Sequence, residues 1–413
     1  MVMPVDVGPV FSEIDELEGE MVEALKALVR VPAIAPENGG EGEVKKSQAL
    51  VRMLTKMGFD KIEHYDAEDA RVPSKVRPNI VAYNKGQDAT KKLWIITHLD
   101  VVPPGEESLW SVTKPFEPVA ADGKVYGRGS EDNGQSLIAS IFAVKALISL
   151  GIRPRRTVAL AFVADEEVGS KYGIQHLIAR GLFDPEDLIV VPDYGNEQGD
   201  FIEIAEKSMM SFRVRTLGKQ THASTPGKGL NAHRMGMAYA LALDESLRRK
   251  YAAKDEKFLP PESTFEPTKK DKNVEAVNII PGEDVLYFDC RILPKYNLDA
   301  ILNDAHLVVE EFEKTYEGAK IKIELLSKTA APEPTDPNSE VVHKLKEAIQ
   351  AVRGTEPRVG GIGGGTCAAF FRKAGIPAVV WSTIDETAHQ PDEYAKVENL
   401  VNDAKVFALL AVQ

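Results

Sequence analysis

The sequence predicts an α/β protein with a mostly parallel sheet and helices on both of its faces, interrupted by an inserted α+β domain. Apolar β-like runs alternate with helical patterns over residues 79–191, and this rhythm resumes after residues 332–337, as is typical of parallel sheets. Between the two stretches, alternating strands accompany two helices, which indicates an antiparallel α+β unit. We therefore predict an α/β unit in two parts, 1–207 and 328–413, with the inserted domain over 208–327.

The first part begins with two helical patterns, over residues 11–31 and 43–57, which stop at Pro32 and Gly58. Strand-like runs and helices then alternate to the end of this part. The predicted strands cover 79–83, 92–97, 157–164 and 188–191, and the predicted helices cover 136–150 and 174–180.

The same patterns predict the strands and helices of the inserted domain and of the closing part. In the inserted domain, strands are predicted over 208–217, 274–280, 285–293 and 320–326, and helices over 231–251 and 298–316. In the closing part, helices are predicted over 341–352, 368–374 and 397–410, and a strand over 378–381.

Composition narrows the possible partners and the compartment. The net charge of the 413 residues is -13 and no Lys/Arg block occurs, so nucleic acid and anionic membranes are poor partners and small soluble substrates remain. Cys290 and Cys367 form no CxxC pair, which favours a reducing compartment. The acidic segment 1–20 does not look like a signal peptide, and the most apolar helix, 137–150, is too short to span a bilayer. We predict a cytoplasmic protein.

Potential metal ligands follow the predicted strands. Ligand sites in open α/β sheets gather where the strands end, and the runs ending near residues 97, 164 and 192 each lead into acidic or imidazole side chains. A further strand leads into the loop with His389, and one acidic residue precedes an apolar helix. The side chains are His98, Asp100, the triplet Asp165-Glu166-Glu167, Asp193, His389 and Asp132.

These residue types indicate a site for divalent first-row metal ions. Imidazoles mixed with carboxylates suit Zn²⁺, whereas an all-oxygen set would suit Mg²⁺ or Ca²⁺. Two ions in one site need a shared carboxylate. The two-residue spacing of His98 and Asp100 places both on one side of an extended backbone, so one can bind metal while the other orients it. Of Glu166 and Glu167, one can bind metal while its neighbour accepts a proton from water.

Motifs that match in order and spacing over nearly the whole chain indicate a resemblance to a known family. The sequence resembles the zinc-dependent amidohydrolase and exopeptidase family of acetylornithine deacetylase, succinyl-diaminopimelate desuccinylase, carboxypeptidase G and the aminoacylases. The motifs are Thr97-His98-Leu99-Asp100-Val101-Val102-Pro103, Gly127–Asp132, Asp165–Gly169, Pro192-Asp193, Gly218-Lys219 with Thr221-His222-Ala223, Asn278 with Pro281-Gly282, Gly364-Gly365-Thr366, and His389.

The resemblance implies a two-metal hydrolase that cleaves the amide bond of an N-acyl amino acid or small peptide, with zinc as the expected metal and cobalt or manganese left open. It implies that His98 and Asp193 bind one ion, Glu167 and His389 the other, and that Asp132 bridges them. It also implies that Glu166 is the general base, that Asp100 supports the site from behind, and that His222 stabilises the oxyanion.

The resemblance further implies that the inserted domain acts as a lid and dimerisation domain in a homodimer, in which His222 reaches the partner's site. Substrate contacts are implied for Asn278, Arg291, the Gly365-Thr366 backbone and Lys207. The sequence departs from the family where Lys-Gly is usual after Asp132 and Asn133-Gly134-Gln135 stands instead. It departs again at Cys367, where Ser or Asp is usual. These departures concern the substrate and leave every metal ligand in place.

Other interpretations of the same residues remain open. An acidic triplet is usually a solvated loop, a buried histidine usually has a structural hydrogen bond, and Arg291 could form only a salt bridge. A catalytically silent dimeric metal-binding scaffold would need no Glu166. A two-metal phosphoesterase would need an Arg/Lys clamp, which we do not find. The spacing Gly363-x-Gly365-x-x-Ala368 loosely fits a dinucleotide fingerprint and would suggest a nicotinamide-dependent oxidoreductase.

Overall fold

The computed structural model describes residues 6–413, which form two compact units. The first unit comprises the chain up to Ile204, Pro334–Val359 and Thr366–Gln413, and the second comprises Ala205–Glu333 and Gly360–Gly365. The second unit begins and ends within a few residues of the predicted insertion, 208–327. It also takes up residues 360–365, which we had placed in the closing part. Residues 1–5 of the predicted first part lie outside the described residues.

The first unit alternates strands and helices, as its apolar rhythm predicts. Its helices are α1 (Gly8–Glu16), α2 (Glu18–Val29), α3 (Val44–Met57), α4 (Ser136–Ser149), α5 (Ile174–Ala179), α8 (Glu340–Arg353), α9 (Ala368–Lys373) and α10 (Val397–Val412). Its strands are β1 (Lys61–His64), β2 (Ala67–Glu68), β3 (Val76–Arg77), β4 (Ile80–Asn84), β5 (Asp88–His98), β6 (Val119–Ala121), β7 (Lys124–Tyr126), β8 (Arg156–Val163), β9 (Leu188–Asn196), β19 (Ala378–Thr383) and β20 (Tyr394–Lys396).

The central sheet of the first unit is parallel where the predicted ligands lie. Its strands follow the order β1, β4, β8, β5, β9, β19 and then β10 (Phe201–Glu206). β5 runs parallel to β8 and β9, and β9 runs parallel to β19. The antiparallel pairs lie towards the two sides, between β1, β4 and β8 and between β10 and β19. The carboxyl ends of the four parallel strands therefore meet at one edge of the sheet.

Both faces of this sheet are covered. Trp94 and Ile96 of β5 belong to a buried cluster that includes residues of α5 and α9. Leu93 and Ile95 alternate with them and are equally buried, so they point to the opposite face. Helix α4 packs against β5, β8 and α10, and it is apolar around most of its circumference. Burial of both faces explains why these strands are continuously apolar in the sequence.

The second unit is an antiparallel sheet with two helices. Its elements are β11 (Ser208–Leu217), β12 (Thr221–His222), β13 (Phe258–Leu259), β14 (Thr264–Lys270), β15 (Ile279–Ile280), β16 (Glu283–Ile292), β17 (Lys320–Thr329), α6 (Ala232–Lys250) and α7 (Leu298–Thr315). β14, β16, β11 and β17 follow one another in the sheet, all antiparallel. β11 alternates strictly between buried and half-buried residues. Met210, Phe212 and Val214 share one buried cluster with residues of α6 and α7.

Two predicted elements were wrong in extent. The helix predicted over 11–31 is two helices, α1 and α2, which meet at Leu17. The strand predicted over 274–280 pairs only at Ile279–Ile280, where it meets β12. Val277 is fully exposed, so the β-like residues of this segment have no partner surface to cover. Among residues 6–413, every helix is too short or too polar to cross a bilayer.

Candidate metal centre

The predicted ligands are brought together at the carboxyl edge of the parallel strands, as the sheet rule requires. β5 ends at His98, and β8 ends just before the acidic triplet. Asp193 lies on β9, next to β5. One ligand atom each of His98, Asp132 and Glu167 lie within 4.8 Å of one another, and the same holds for His98, Glu166 and Asp193.

The imidazole of His98 has a fixed orientation in the buried part of the site. Its Nδ1 lies 3.0 Å from the backbone carbonyl oxygen of Asp100, and this carbonyl can only accept. Nδ1 therefore carries the proton, and Nε2 faces Asp132 Oδ1 at 2.8 Å and Asp193 Oδ1 at 3.2 Å. The backbone of Asp100, rather than its carboxylate, makes the closer contact to the ring, since Oδ1 lies 3.6 Å away.

The carboxylate of Asp132 lies between two imidazoles. Its Oδ1 is the oxygen near His98, whereas its Oδ2 lies 3.0 Å from Nε2 of His389. The same Nε2 lies 3.2 Å from Oε2 of Glu167. One carboxylate thus offers an oxygen to each of two histidines, and each histidine has a second carboxylate beside it. This is the arrangement that a shared, bridging ligand requires.

Asp100 holds the turn that carries the two glutamates. The two oxygens of its buried carboxylate accept the backbone N–H groups of Glu166 and Glu167, each at 3.1 Å. The turn begins with Asp165 in the left-handed region, at φ 69°. Asp100 therefore fixes the direction in which both glutamates leave the sheet.

The site holds more acidic groups than basic ones, and burial and these charges shift their pKa values. Burial, together with the charge of Asp193, raises the pKa of Glu166 well above its ordinary value. Burial and the charge of Asp132 raise the pKa of Glu167. Hydrogen bonds to Asp132 and Glu167 raise the pKa of His389 to about 10. For His98, burial opposes protonation, but the charge of Asp193 and the neighbouring acids raise its pKa well above the usual range.

The donor set fits divalent cations. Five carboxylates, those of Asp100, Asp132, Glu166, Glu167 and Asp193, surround two imidazoles. Burial raises the pKa values of Glu166 and Glu167 most, and repulsion from the neighbouring carboxylates adds to the shift, so cations close to them would stabilise their charged forms. Imidazole with carboxylate is the ligand combination of zinc and similar first-row ions.

Asn133 supports the site and was not predicted to. Its Nδ2 donates to the carbonyl oxygen of Pro192 at 2.7 Å and to Oδ1 of Asp193 at 3.0 Å. The side chain therefore aims the Asp193 carboxylate. In the sequence Asn133 is only a departure from the family pattern, although its position next to Asp132 places it near the site.

Two buried glutamates beside the ligands were also missed. Glu131 accepts hydrogen bonds from the backbone around residues 385–388, and Glu393 accepts them from the backbone around residues 129–132. Their only signal in the sequence is that each is an acidic residue close to a predicted ligand, Asp132 or His389.

The second unit carries most of the predicted substrate contacts. His222 lies exposed on β12, and its Nδ1 accepts the backbone N–H of Ser224 at 3.1 Å. Its Nε2 lies 3.4 Å from Nδ2 of Asn278. Gly365 closes the short segment of the second unit, and Thr366 resumes the first unit with its Oγ1 accepting the N–H of Ala368.

Arg291 and Lys207 already have partners within the second unit. The Arg291 guanidinium contacts the Asp289 carboxylate through Nε, at 2.6 Å, and donates from Nη1 to the carbonyl oxygen of Gly363. The buried ammonium of Lys207 donates to the carbonyl oxygens of Pro260 and Glu262. These bonds explain both side chains without a substrate, so their substrate contacts stay predictions.

Comparison with known proteins places the chain among metallohydrolases. The model of Peptidase family M20/M25/M40 matches residues 94–413. An uncharacterized metallohydrolase of Methanocaldococcus jannaschii is 40% identical over 408 residues, which cover 95% of this chain and 98% of the relative. A succinyl-diaminopimelate desuccinylase of a Nitratiruptor species is 28% identical over 390 residues, covering 92% and 96%.

The fold is shared with solved structures as well. The dipeptidase Dug1p of Saccharomyces cerevisiae superposes with a TM-score of 0.78 and 19% identity, covering 98% of both chains. At this identity the superposition shows a common fold. The family model, by contrast, spans all the predicted metal ligands, from His98 to His389. The chain belongs to Peptidase family M20/M25/M40.

Proposed function

We propose that the chain is a hydrolase that uses two divalent metal ions to cleave the amide bond of an N-acyl amino acid or a small peptide. The observation that carries this proposal is the Asp132 carboxylate between two imidazoles, with Glu166 close to one of them, His98. We do not propose a nicotinamide-dependent oxidoreductase. The chain belongs to a peptidase family, and only the spacing of the glycine run suggested a nicotinamide cofactor.

In this proposal the ligands divide into two sets that share one residue. His98 and Asp193 bind one ion, Glu167 and His389 bind the other, and Asp132 binds both. When bound, the ions lower the pKa of a water molecule towards ~7 and polarise the carbonyl group that is attacked. Zinc is the expected metal, and cobalt or manganese also suits the donor set.

Glu166 is the proposed general base. Its carboxylate lies in the group with His98 and Asp193, and among residues 6–413 no donor forms a hydrogen bond to it. It is therefore available to take a proton from the attacking water and to return that proton to the departing amine. Asp100 holds the turn beneath it through the backbone N–H of Glu166.

His222 is proposed to stabilise the oxyanion that develops on the attacked carbonyl. This role needs a hydrogen-bond donor, which an N–H group of the exposed His222 ring can supply. We propose that the protein is a cytoplasmic homodimer in which the partner copy supplies this histidine. β17 lies at one edge of its sheet with Leu325 and Leu326 exposed, which offers a dimer surface. Light scattering that gives the mass of one chain together with full activity would contradict the homodimer.

The substrate is proposed at the level of a class. An amide with a free carboxylate suits Asn278 and, if it leaves Asp289, Arg291. A panel of N-acetyl and N-succinyl amino acids and dipeptides, assayed with zinc, cobalt and manganese in turn, would identify the preferred acyl group. Metal binding without hydrolysis of any member would favour a silent scaffold instead.

The base can be tested separately from the ligands. We expect Glu166→Gln to keep two bound ions per chain and to lower kcat by at least ~100-fold, because the amide cannot accept the proton. Its neighbour provides the matched comparison: Glu167→Gln should lose both activity and bound metal. The measurements are metal content of the purified variants and initial rates on the best substrate of the panel. Unchanged turnover of Glu166→Gln would refute the assigned base.

A further inference from the structure

Glu393 is a buried carboxylate that binds the loop carrying Asp132. Its side chain is 0% exposed. Oε2 accepts from Nη1 of Arg128 at 2.6 Å and from the N–H of Gly129 at 3.1 Å. Oε1 accepts from the N–H groups of Glu131 and Asp132, at 3.0 and 3.1 Å. One carboxylate thus accepts three backbone N–H groups from the loop that carries a proposed ligand.

Glu131 does the same for the loop carrying His389. Its side chain is 4% exposed. Oε1 accepts the N–H of Asp385 at 2.7 Å, and Oε2 accepts the N–H groups of Thr387 and Ala388, the latter at 2.9 Å. The hydroxyl of Thr387 lies 3.0 Å from the same oxygen. All these donors come from the stretch that ends at His389.

The two contacts are reciprocal. Glu131 belongs to the loop of Asp132 and binds the loop of His389, whereas Glu393 follows His389 by four residues and binds the loop of Asp132. Hydrogen bonds from N–H groups to an ionised carboxylate are about twice as strong as neutral ones. The loop of His389 needs such support most, since His389 lies at a positive φ of 64°, a conformation that is strained for a non-glycine residue.

We propose that Glu131 and Glu393 form a carboxylate clamp that sets the distance between Asp132 and His389, and thereby the affinity for the metal that these residues bind. The clamp contains positioning residues: their oxygens are occupied by backbone N–H groups and leave metal binding to their neighbours. Arg128 extends it, because its guanidinium lies 5.3 Å from the ring of Trp110 while it donates to Glu393. The proposal rests on the proposed metal ligands.

The test uses Glu131→Gln, Glu393→Gln and the double variant. Glutamine keeps the shape but turns an NH₂ group towards N–H donors, so each variant loses acceptors on one side of the clamp. We expect metal affinity, measured on the metal-free protein by competition with a chelator, to fall about 10- to 100-fold in each single variant. Excess metal should restore activity, which it cannot do for Glu166→Gln.

The double variant tests whether the two carboxylates act as one device. Because opening either side frees the same Asp132–His389 pair, the loss in the double variant should be clearly smaller than the product of the two single losses. A full product would mean two independent anchors and would overturn the reciprocal clamp. Glu203→Gln is the matched control, since Glu203 is equally buried and accepts from Arg372. It should leave metal affinity unchanged.

A gentler variant guards against a folding defect. Thr387→Val removes the hydroxyl near Glu131 without altering charge, and it should shift metal affinity in the same direction by a few-fold. Wild-type protein that binds no metal would refute the proposed function. Wild-type protein that binds two ions while Glu131→Gln, Glu393→Gln and Thr387→Val bind them equally well would refute the clamp alone.

Discussion

At the residue scale, the acidic side chains of the site fall into two kinds according to what their oxygens face. Those of Asp132, Glu167 and Asp193 face imidazoles. Those of Asp100 and Glu393 face backbone N–H groups. Carboxylates of the first kind can bind a cation, whereas those of the second kind already interact with the positive ends of the amide dipoles. The role of a buried carboxylate near a metal site therefore follows from the donor groups that its oxygens face, and not from its distance to the site.

Asp100→Asn tests this distinction. The amide can accept only one of the two N–H groups that the carboxylate accepts, so the turn bearing Glu166 and Glu167 should loosen and kcat/KM should fall about 10- to 100-fold. Asp187→Asn is the matched control. Asp187 is also buried and accepts the N–H of Lys92 and Nε1 of Trp94 near the start of β5, away from the site. It should lower the melting temperature without that loss of activity, and equal losses in both variants would contradict the distinction.

The residues proposed as ligands, and Asp100 behind them, could be singled out from the sequence, whereas the supports Glu131, Asn133 and Glu393 could not. His98, Glu167 and Asp193 follow apolar strands directly, and the strand-end rule applies to each of them separately. Glu393 lies 261 residues from Asp132, whose N–H it binds. No local sequence pattern predicts such a pairing, because the role of the glutamate depends on which backbone groups lie near it in the folded chain. The same holds for Lys207, whose carbonyl partners belong to a loop more than fifty residues away.

At the element scale, long buried elements were predicted best, although the short and fully buried β10 was missed. The continuously apolar β5 and β8 and the amphipathic α6 were predicted to within a few residues, because both faces of the strands and one face of the helix are covered. β14 was missed: it contains Pro267 and is exposed along most of its length, as strands at a sheet edge often are. A buried strand or helix has a periodic pattern of apolar residues in its sequence, whereas an exposed edge strand lacks such a pattern.

Helix α10 contributes a pH-sensitive contact to the first unit. Asp403 on this helix accepts the N–H and the hydroxyl of Thr383 at the end of β19. Burial raises its pKa to about 6, although Arg353 and these hydrogen bonds oppose the shift. The charged form is therefore penalised in the folded chain only. The stability linked to this group is complete below its unfolded pKa, near ~4, and is lost as the pH rises through about 6.

We expect Asp403→Asn to remove this dependence. Between about pH 4 and pH 8, the wild type should lose up to about 3 kcal/mol of unfolding free energy relative to the variant. Urea denaturation of both proteins at several pH values measures the difference. Its absolute size also contains the hydrogen bonds that asparagine cannot make, so the change with pH is the quantity to compare. Parallel pH profiles for the two proteins would contradict the assignment.

At the scale of the whole molecule, the proposed ligands all belong to the first unit, yet they are spread from His98 to His389 along the chain. Bound metal would thus join distant parts of that unit, and binding stabilises only the folded state. At a free metal concentration of 100 times Kd, one site adds about 2.7 kcal/mol to the free energy of unfolding.

Metal removal should therefore affect the two units differently. Addition of a chelator should lower the melting temperature by about 5–10 °C and speed hydrogen exchange in the segments around the ligands. Exchange within β11, β16 and α6 of the second unit should not change, because no proposed ligand lies there. Asp132→Asn should respond to the chelator much less than the wild type. Uniformly faster exchange in both units would contradict a site confined to the first.

The division of the chain into units has a consequence for how this protein could acquire new specificity. The backbone passes from one unit to the other near residues 204, 333, 359 and 365, so the second unit is made of one long excursion and one hexapeptide. A graft of residues 205–333 alone would leave that hexapeptide behind, including Gly365. Exchange of the second unit between relatives therefore requires both pieces to be transferred together. In chimeras that transfer only residues 205–333, the transferred residues should not match the remaining hexapeptide.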